Sequence, residues 1–162
     1  MPWEKEVEET GATYAENAIL KAAAAVAATG LPAIADDSGL EVEALGGRPG
    51  LRSKRLGPTQ AERNAELWRL LAGTPRPWRA TFVAVIALAA PGRPPGVFEG
   101  RVEGELLPAE RGAGGFGYDP VFLVPESGLT FAEMGREEKH RRSHRGRAAE
   151  ALIRSGALSS LG

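Results

Sequence analysis

The chain has 162 residues, of which 43% are hydrophobic and 25% are charged, and this is enough for one domain with a buried core. The formal net charge is −1 and cysteine is absent, so disulfides and thiolate chemistry are excluded and no overall charge favours nucleic acid or an anionic membrane. Because no apolar run approaches the roughly 20 residues of a membrane span and the acidic N-terminus is no signal peptide, we expect one cytoplasmic domain over residues 1–162.

Three helices are predicted from capping signals and apolar periodicity. Capping boxes precede two of them: Thr13 with Glu16 before residues 14–29, and Thr59 with Glu62 before a helix that ends near Ala72. Gly30 follows the first helix as its C-cap. The third helix runs from about residue 143 to 155, with an apolar face made of Ala148, Ala149, Leu152 and Ile153.

Strands are predicted between the helices. The apolar run from Leu31 to Ala35 is too short for a helix and predicts a buried strand. Residues 81–89 are apolar nearly throughout, as in a strand covered on both faces, and residues 97–107 return after PGRPPG to form a hairpin. A short strand at residues 121–124 is stopped by Pro125. This order of elements predicts an α/β domain with a mixed sheet.

Adjacent carboxylates follow the first predicted strand, in the sequence AIADDSGL. Asp36 and Asp37 are placed where open α/β sheets bind ligands, at the end of a strand. Carboxylates without His or Cys nearby favour Mg²⁺, and a carboxylate can also orient a water molecule. The alternative is an Asx-type turn with both side chains in solvent. Glu8 and Glu9, which precede the first helix, are a weaker signal because acidic residues there also complement the helix dipole.

Two later motifs suggest a nucleotide. The loop GAGGFGYDP has four glycines that allow close backbone approach. Its aromatic residues, Phe116 and Tyr118, could stack on a nucleobase, or a plain tight turn could tuck Phe116 into the core. The run EEKHRRSHRGR places basic groups at a helix start, which is unfavourable unless an anion such as phosphate binds there or solvent surrounds the turn. With the acidic pair, these motifs predict hydrolytic chemistry on a metal-bound nucleoside phosphate.

The strings EETGATYAENAILKA, GLPAIADDSGLEVEALGGRPG, GAGGFGYDPVF and TFAEMGREEKHRRSHRGRA resemble the ITP/XTP pyrophosphatase family over essentially the whole chain. The resemblance implies an inosine triphosphatase-like α/β fold, in which helices flank a mixed, strongly twisted central sheet. It also implies a homodimer that uses Mg²⁺ to cut ITP, dITP and XTP between the α and β phosphates, as part of nucleotide-pool sanitation. Neither nucleic acid nor membrane is expected as a partner.

The resemblance also assigns roles to residues at matching positions. Asp37 matches the catalytic aspartate that binds Mg²⁺ and acts on the water, Glu9 matches the second metal carboxylate, and Asp36 supports the site. The matching substrate contacts are Ser38, Lys21 at the phosphates, Phe116, Gly117, Tyr118 and Asp119 in the base loop, Lys139, and the pair His144 and Arg145 at the purine edge. Donors such as Arg145 would pair with a 6-oxo purine and remain unpaired opposite adenine, which discriminates against ATP.

One departure from the family pattern concerns the start of the chain. Family members open with an apolar strand and a T/S-G-N-x-x-K-type loop that contacts phosphate, whereas this sequence begins at MPWEKEVEETG and is N-terminally truncated by that comparison. Two functions are therefore expected as alternatives: a Mg²⁺-dependent pyrophosphatase, or a truncated or vestigial domain that binds nucleotide without catalysis. A smaller departure is Lys54-Arg55-Leu56, where the family more often has Ala-Arg-Tyr.

Overall fold

A computed structural model describes residues 6–161 of the chain. The helices and strands, in chain order, are α1 Tyr14–Thr29, β1 Ala33–Val42, β2 Pro49–Gly50, α2 Gln60–Leu71, β3 Trp78–Ala90, β4 Arg93–Leu106, β5 Phe122–Val124, β6 Leu129–Thr130, α3 Arg136–Arg142 and α4 His144–Arg154. Short 3₁₀ turns lie at Glu43–Leu45, Ser53–Arg55, Asp119–Val121 and Ala157–Leu161. Across residues 6–161, every helix is too short or too polar to cross a membrane.

The strands form one six-stranded sheet in the order β2-β1-β3-β4-β5-β6. The predicted α/β class, with helices against a central sheet, is confirmed. All pairings among the described strands are antiparallel, however, whereas a mixed sheet is predicted. The reason is the connection through α2: β2 and β3 run in the same direction but lie on either side of β1, so they are not neighbours.

Helices cover both faces of the central strand β3, which confirms the interpretation of its apolar sequence. On one face, Ala18 and Ala22 of α1 pack against Val85 and Ala87. On the other face, α4 packs against the alternate residues of β3. The main core continues this second face towards α2 and β5, with Leu40, Leu67, Phe82, Phe122 and Phe131 among its buried side chains. The sheet therefore separates α1 on one face from α4 on the other.

Helix α4 lies directly against the backbone of β4. A Cβ atom added to Gly100 would stand 2.1 Å from the His144 carbonyl oxygen and 2.4 Å from the Ala148 nitrogen. Real Cβ atoms essentially never approach other heavy atoms this closely. Glycine at this position therefore sets the distance between the sheet and the first turn of α4.

The first predicted strand is wrong in its burial and its end. Leu31 lies outside β1, and Leu31 and Ile34 are 64% and 58% exposed. The strand begins at Ala33 and continues through both aspartates to Val42, so Asp36 and Asp37 lie within the strand rather than after it. The physical reason is that ten residues of β1 pair with β3 through their backbones. This pairing keeps polar residues in the strand, whereas the prediction counted only the apolar ones.

The predicted helices are confirmed, with three differences. Thr13 and Thr59 cap α1 and α2 through the Glu16 and Glu62 backbone N–H groups, but only Thr59 forms the predicted capping box, because the Glu16 carboxylate accepts from the Ala12 N–H instead. Ile153 is 68% exposed, so its place on the apolar face of α4 is wrong; the sheet contacts centre on Ala148 and Leu152, and Ile153 lies about 100° further around the helix. Helix α3 was not predicted, because its seven residues REEKHRR contain no apolar residue.

Candidate active site

The two adjacent aspartates of β1 point to opposite faces of the sheet. Asp37 contacts α1, whereas Asp36 and the next residue of the same parity, Ser38, contact α4. This follows from the alternation of side chains along a strand. The alternative of a turn with two solvated aspartates is therefore wrong, since Asp37 is only 4% exposed.

On the α1 side, the Lys21 ammonium lies between two carboxylates. Its Nζ atom is 2.9 Å from Glu9 Oε1 and 3.3 Å from Asp37 Oδ1. Glu9 precedes α1 and Lys21 lies within it, so the helix brings together residues from three places in the chain. The predicted metal carboxylates thus lie close together, with a cation already bonded to both.

The electrostatics of this group favour its charged forms. Burial raises the pKa of Glu9, but the hydrogen bond and charge of Lys21, with the charges of Lys54 and Arg55, hold it below its usual value. Burial lowers the pKa of Lys21, but its bonds to both carboxylates raise it overall. The Glu9 carboxylate and the Lys21 ammonium therefore both stay ionised near neutral pH. The positive charges of the turn at residues 53–55 suit an anionic ligand.

Asn17 joins the two segments that carry the carboxylates. Its Nδ2 donates to Asp37 Oδ2 at 3.2 Å, and its Oδ1 accepts from the Gly11 backbone N–H at 2.7 Å. The side chain is only 2% exposed. Sequence reasoning missed this residue, although its spacing of four from Lys21 on α1 places both on one helical face.

Ser53 holds the basic turn at Ser53–Arg55 beside the site. Its Oγ accepts from the Leu40 N–H at 2.8 Å and donates to Gly50 O at 2.6 Å, while its carbonyl accepts from the Tyr118 hydroxyl at 2.7 Å. The turn is thereby tied both to β1 and to the GAGGFGYDP loop. Lys54 and Arg55 are exposed on this fixed base.

On the α4 side, the ring of Phe116 is 59% exposed and lies against two cations. Lys139 Nζ is 4.6 Å from the ring centroid and Arg145 Cζ is 5.1 Å from it. The Lys139 ammonium donates to Asp119 Oδ2 at 2.6 Å, and the Phe116 N–H donates to the same oxygen at 2.9 Å. The loop thus presents an aromatic surface whose neighbours are fixed, as base stacking requires.

Within the same loop, Tyr118 and Gly117 contribute to the conformation of the loop itself. Tyr118 is 5% exposed, and burial raises its pKa to about 12. The structure places its ring in the core and not beside Phe116, so the aromatic residue that tucks inward is Tyr118. Gly117 has φ 61°, in the left-handed region that favours glycine. Base contact by the Tyr118 side chain remains a prediction that its burial does not favour.

His144 lies beneath this group in the core. It is 5% exposed and its ring stacks on Phe82, with centroids 4.5 Å apart and planes 7° apart. Burial, aided by the charges of Arg145 and Lys139 and opposed by Asp36, lowers its pKa to about 3, so the ring is neutral. Within residues 6–161, its Nδ1 atom has no hydrogen-bond partner.

The basic run at residues 137–147 does not form one anion site. Its cations go to separate partners: Lys139 to Asp119, Arg142 to Glu138 and Glu126, Arg145 to Asp36, and Arg147 to the Arg101 carbonyl. The structure therefore places the predicted residues in two groups. Glu9, Lys21 and Asp37 lie on the α1 side, while Ser38, Phe116, Asp119, Lys139, His144 and Arg145 lie on the α4 side. No cluster of three or more His, Cys, Asp or Glu side chains suited to a metal occurs in the described range.

The chain is similar in sequence to curated proteins over most of its length. The chain is 59% identical over 150 residues to the dITP/XTP pyrophosphatase of Thermus thermophilus, a match that covers 90% of this chain and 72% of that protein. It is 54% identical over 147 residues to the dITP/XTP pyrophosphatase of Gloeobacter violaceus, covering 91% and 75%.

Solved structures show the same fold. The Staphylococcus aureus Ham1 protein has a TM-score of 0.88 and 41% identity, covering 97% of this chain and 82% of that one. A HAM1 protein from Coxiella burnetii has a TM-score of 0.87 and 44% identity, covering 96% and 81%. The model of the Ham1 family matches residues 1–155. With its fold and its sequence in agreement, the chain belongs to the Ham1 family.

Proposed function

We propose that this chain hydrolyses the non-canonical purine nucleotides dITP, XTP and ITP to the monophosphate and pyrophosphate. The observation that carries the proposal is that two different groups lie on the two faces of β1. A carboxylate pair bridged by Lys21 lies on one face, and an exposed aromatic ring beside Arg145 lies on the other. One group suits a polyphosphate and its cation, and the other suits a base. The relatives from Thermus thermophilus and Gloeobacter violaceus are dITP/XTP pyrophosphatases, which supports the same activity.

Mg²⁺ belongs to this proposal, held by Glu9 and Asp37. Their oxygen-only donors fit the ion, which commonly uses one or two carboxylates and retains several waters. The Lys21 ammonium is bonded to both carboxylates, and this pairing with a positive charge supports the proposal of a cation beside them. When bound, the ion would neutralise phosphate charge and polarise the phosphoanhydride.

Asp37 is proposed as the residue that acts on the attacking water. Its carboxylate accepts one bond from Asn17 and one from Lys21, which leaves acceptor sites for a water proton. The water oxygen joins the α-phosphorus as its proton passes to Asp37, the bond from the α-phosphorus to the bridging oxygen breaks, and pyrophosphate leaves with that oxygen. Lys21 has three donors, of which two go to Glu9 and Asp37, so one remains for a phosphate oxygen.

The base would stack on Phe116 on the other side of β1. Arg145 lies beside that ring and supplies N–H donors for a 6-oxo group. Adenine presents an amino group there, so these donors would lose their partners opposite ATP. The neutral His144 carries an Nδ1 atom near the same place that has no partner among residues 6–161.

The resemblance adds a homodimer and a cytoplasmic location to the proposal. The net charge of −1 supports the expectation that neither nucleic acid nor an anionic membrane is a partner. Light scattering on the purified chain, at concentrations above and below the micromolar range, tests the dimer directly.

The activity is tested by pyrophosphate release from dITP, XTP, dATP and dGTP, with Mg²⁺ and with excess chelator. We expect fast turnover of dITP and XTP only, dependent on Mg²⁺. Asp37→Asn should abolish this turnover. The control is Glu150→Gln, which changes an exposed α4 carboxylate paired with Arg154 and should not affect turnover.

A folded chain that releases no pyrophosphate would contradict the proposal. Selective nucleotide binding by that inactive chain would then support the alternative of a non-catalytic nucleotide-binding domain. Circular dichroism and the binding of dIMP separate these results from a failure to fold.

A further inference from the structure

The strand β1 carries two aspartates, and the proposed chemistry uses only one of them. Asp37 is buried against α1, while Asp36 has a 41% exposed side chain on the α4 side. Exposed carboxylates usually need no explanation. Asp36, however, is bonded to Arg145, a residue 109 positions away and the proposed reader of the base.

Arg145 is held from β1 by two bonds. Its Nε donates to Asp36 Oδ2 at 2.8 Å and its NH2 group donates to Ser38 Oγ at 3.0 Å. Asp36 and Ser38 are two residues apart on one strand, so they present two acceptors on the same face at a fixed spacing. A planar guanidinium matches such a pair better than a flexible ammonium would.

This attachment leaves part of the guanidinium free. Two of its five N–H donors are used by Asp36 and Ser38. The Arg145 Cζ atom is 5.1 Å from the Phe116 ring centroid. The remaining donors are therefore held close to the ring on which a base would stack.

We propose that Asp36 is a positioning residue for base selection, which fixes the Arg145 guanidinium beside Phe116 so that its free donors meet a 6-oxo purine. This inference rests on the proposed function. It assigns separate tasks to the adjacent carboxylates: Asp37 to hydrolysis and Asp36 to recognition of the base.

The pair is poorly suited to a structural role. Arg145 and Asp36 are 35% and 41% exposed, and ion pairs this open contribute little to the free energy of unfolding. Loss of Asp36 should therefore leave the melting temperature nearly unchanged, while a freed arginine side chain samples other rotamers. A change in base preference without a change in stability distinguishes positioning from folding.

The test uses Asp36→Asn and Asp36→Glu with Glu99→Gln as the matched control. Glu99 is an exposed carboxylate on β4 that also pairs with an arginine, at 3.2 Å, away from Phe116. We expect Asp36→Asn to lower kcat/KM for dITP about tenfold, through KM, with kcat changed less than about twofold and with dATP unaffected. Asp36→Glu should restore part of the preference, and Glu99→Gln should behave as the parent chain.

The deciding quantity is the ratio of kcat/KM for dITP to kcat/KM for dATP. If Asp36 acted only through its negative charge, its removal would strengthen the binding of every nucleotide equally and leave this ratio unchanged. An unchanged ratio would therefore overturn the proposal. A parallel fall in kcat for both nucleotides would also overturn it, because Asp36 would then act on hydrolysis.

Equilibrium binding keeps the inference separate from the proposed activity. Calorimetry with dIMP and dAMP measures base preference even if the parent chain releases no pyrophosphate. A dIMP preference in the parent that falls about tenfold in Asp36→Asn supports the proposal, whatever the turnover. A parent that does not distinguish dIMP from dAMP, or a variant with the parent's preference, overturns it.

Discussion

Two lysine–aspartate pairs of equal exposure stand on the two sides of the site. In each pair the lysine side chain is 21% exposed and the aspartate is 4% exposed. Lys139 approaches Asp119 to 2.6 Å, and that carboxylate oxygen also accepts from the Phe116 backbone N–H. Lys21 is instead shared, at 2.9 Å from Glu9 and 3.3 Å from Asp37.

The difference shows how one type of ion pair can serve two purposes. The Asp119 pair closes a loop with short bonds, and its acceptor oxygen is occupied twice. Asp37 also accepts two bonds, but one on each oxygen, from Lys21 and Asn17, and its lysine is shared with Glu9. Burial, charge and the number of accepted bonds are alike in the two pairs, and what separates them is whether the lysine serves one carboxylate or two.

The largest expected effect separates these two aspartates. Asp37→Asn should lower kcat for dITP at least about a hundredfold, because a residue that takes a proton in the transition state contributes that much or more. Asp119→Asn should mainly raise KM, because it loosens the support of Phe116. Steady-state kinetics on both variants measures the contrast, and equal losses of kcat would contradict it.

Asn17→Ala should destabilise the α1 side. The change removes the acceptor of the Gly11 N–H and the donor to Asp37 Oδ2, while Asp37 keeps its bond to Lys21, and it should cost about 1–3 kcal/mol of the free energy of unfolding. Urea denaturation of the variant measures this. As a control, Glu66→Gln on α2 removes an exposed ion pair and should leave the free energy of unfolding nearly unchanged.

The two aromatic residues of the GAGGFGYDP loop should respond in opposite ways. Phe116→Ala should weaken nucleotide binding about tenfold, since base stacking contributes about 1–3 kcal/mol, with stability nearly unchanged. Tyr118→Phe removes the hydroxyl that donates to Ser53 O and should cost about 1 kcal/mol of stability instead. Calorimetric binding and thermal melts of both variants would show it, and a binding loss in Tyr118→Phe alone would reverse the assignment.

The smallest expected effect is a pH dependence from His144. Its pKa is about 3 in the folded chain against 6.5 ordinarily, so the unfolded chain binds the proton first as the pH falls. Stability from this residue is complete above pH 6.5 and decreases below it, by roughly 1 kcal/mol between pH 6.5 and about 5.5.

Carboxylates titrate in the same range, so the comparison is with His144→Phe, which keeps the stacking on Phe82. Denaturation at several pH values should give a shallower decrease for the variant. Identical slopes would show that the buried imidazole is not responsible.

Local signals predicted most of the fold because local chemistry sets most of it. The Thr13 and Thr59 caps and the apolar run of β3 were sufficient for α1, α2 and the central hairpin. The course of β1 was not predictable from its own residues, because its pairing with β3 carries the strand through Asp36 and Asp37.

The site was predicted as a set of residues and not as an arrangement. The motifs, and the resemblance that they carry, indicated Asp37, Lys21 and Phe116. The bonds from Arg145 to Asp36 and from Asn17 to Asp37 join positions 109 and 20 residues apart, and spacing along the chain contains no information about such contacts. Helix α3 escaped prediction because tertiary position, and not apolar periodicity, holds it in place.

Gly100 has a consequence for how substitutions in this chain would be interpreted. It lies on β4, and its missing side chain lets the first turn of α4 rest against the sheet. A mutational scan that records only activity would therefore rank Gly100 with the active-site residues, although it offers a ligand no functional group. Gly100→Ala would force the first turn of α4, with His144 and Arg145, away from the sheet, and we expect it to lower activity although every reacting side chain is retained.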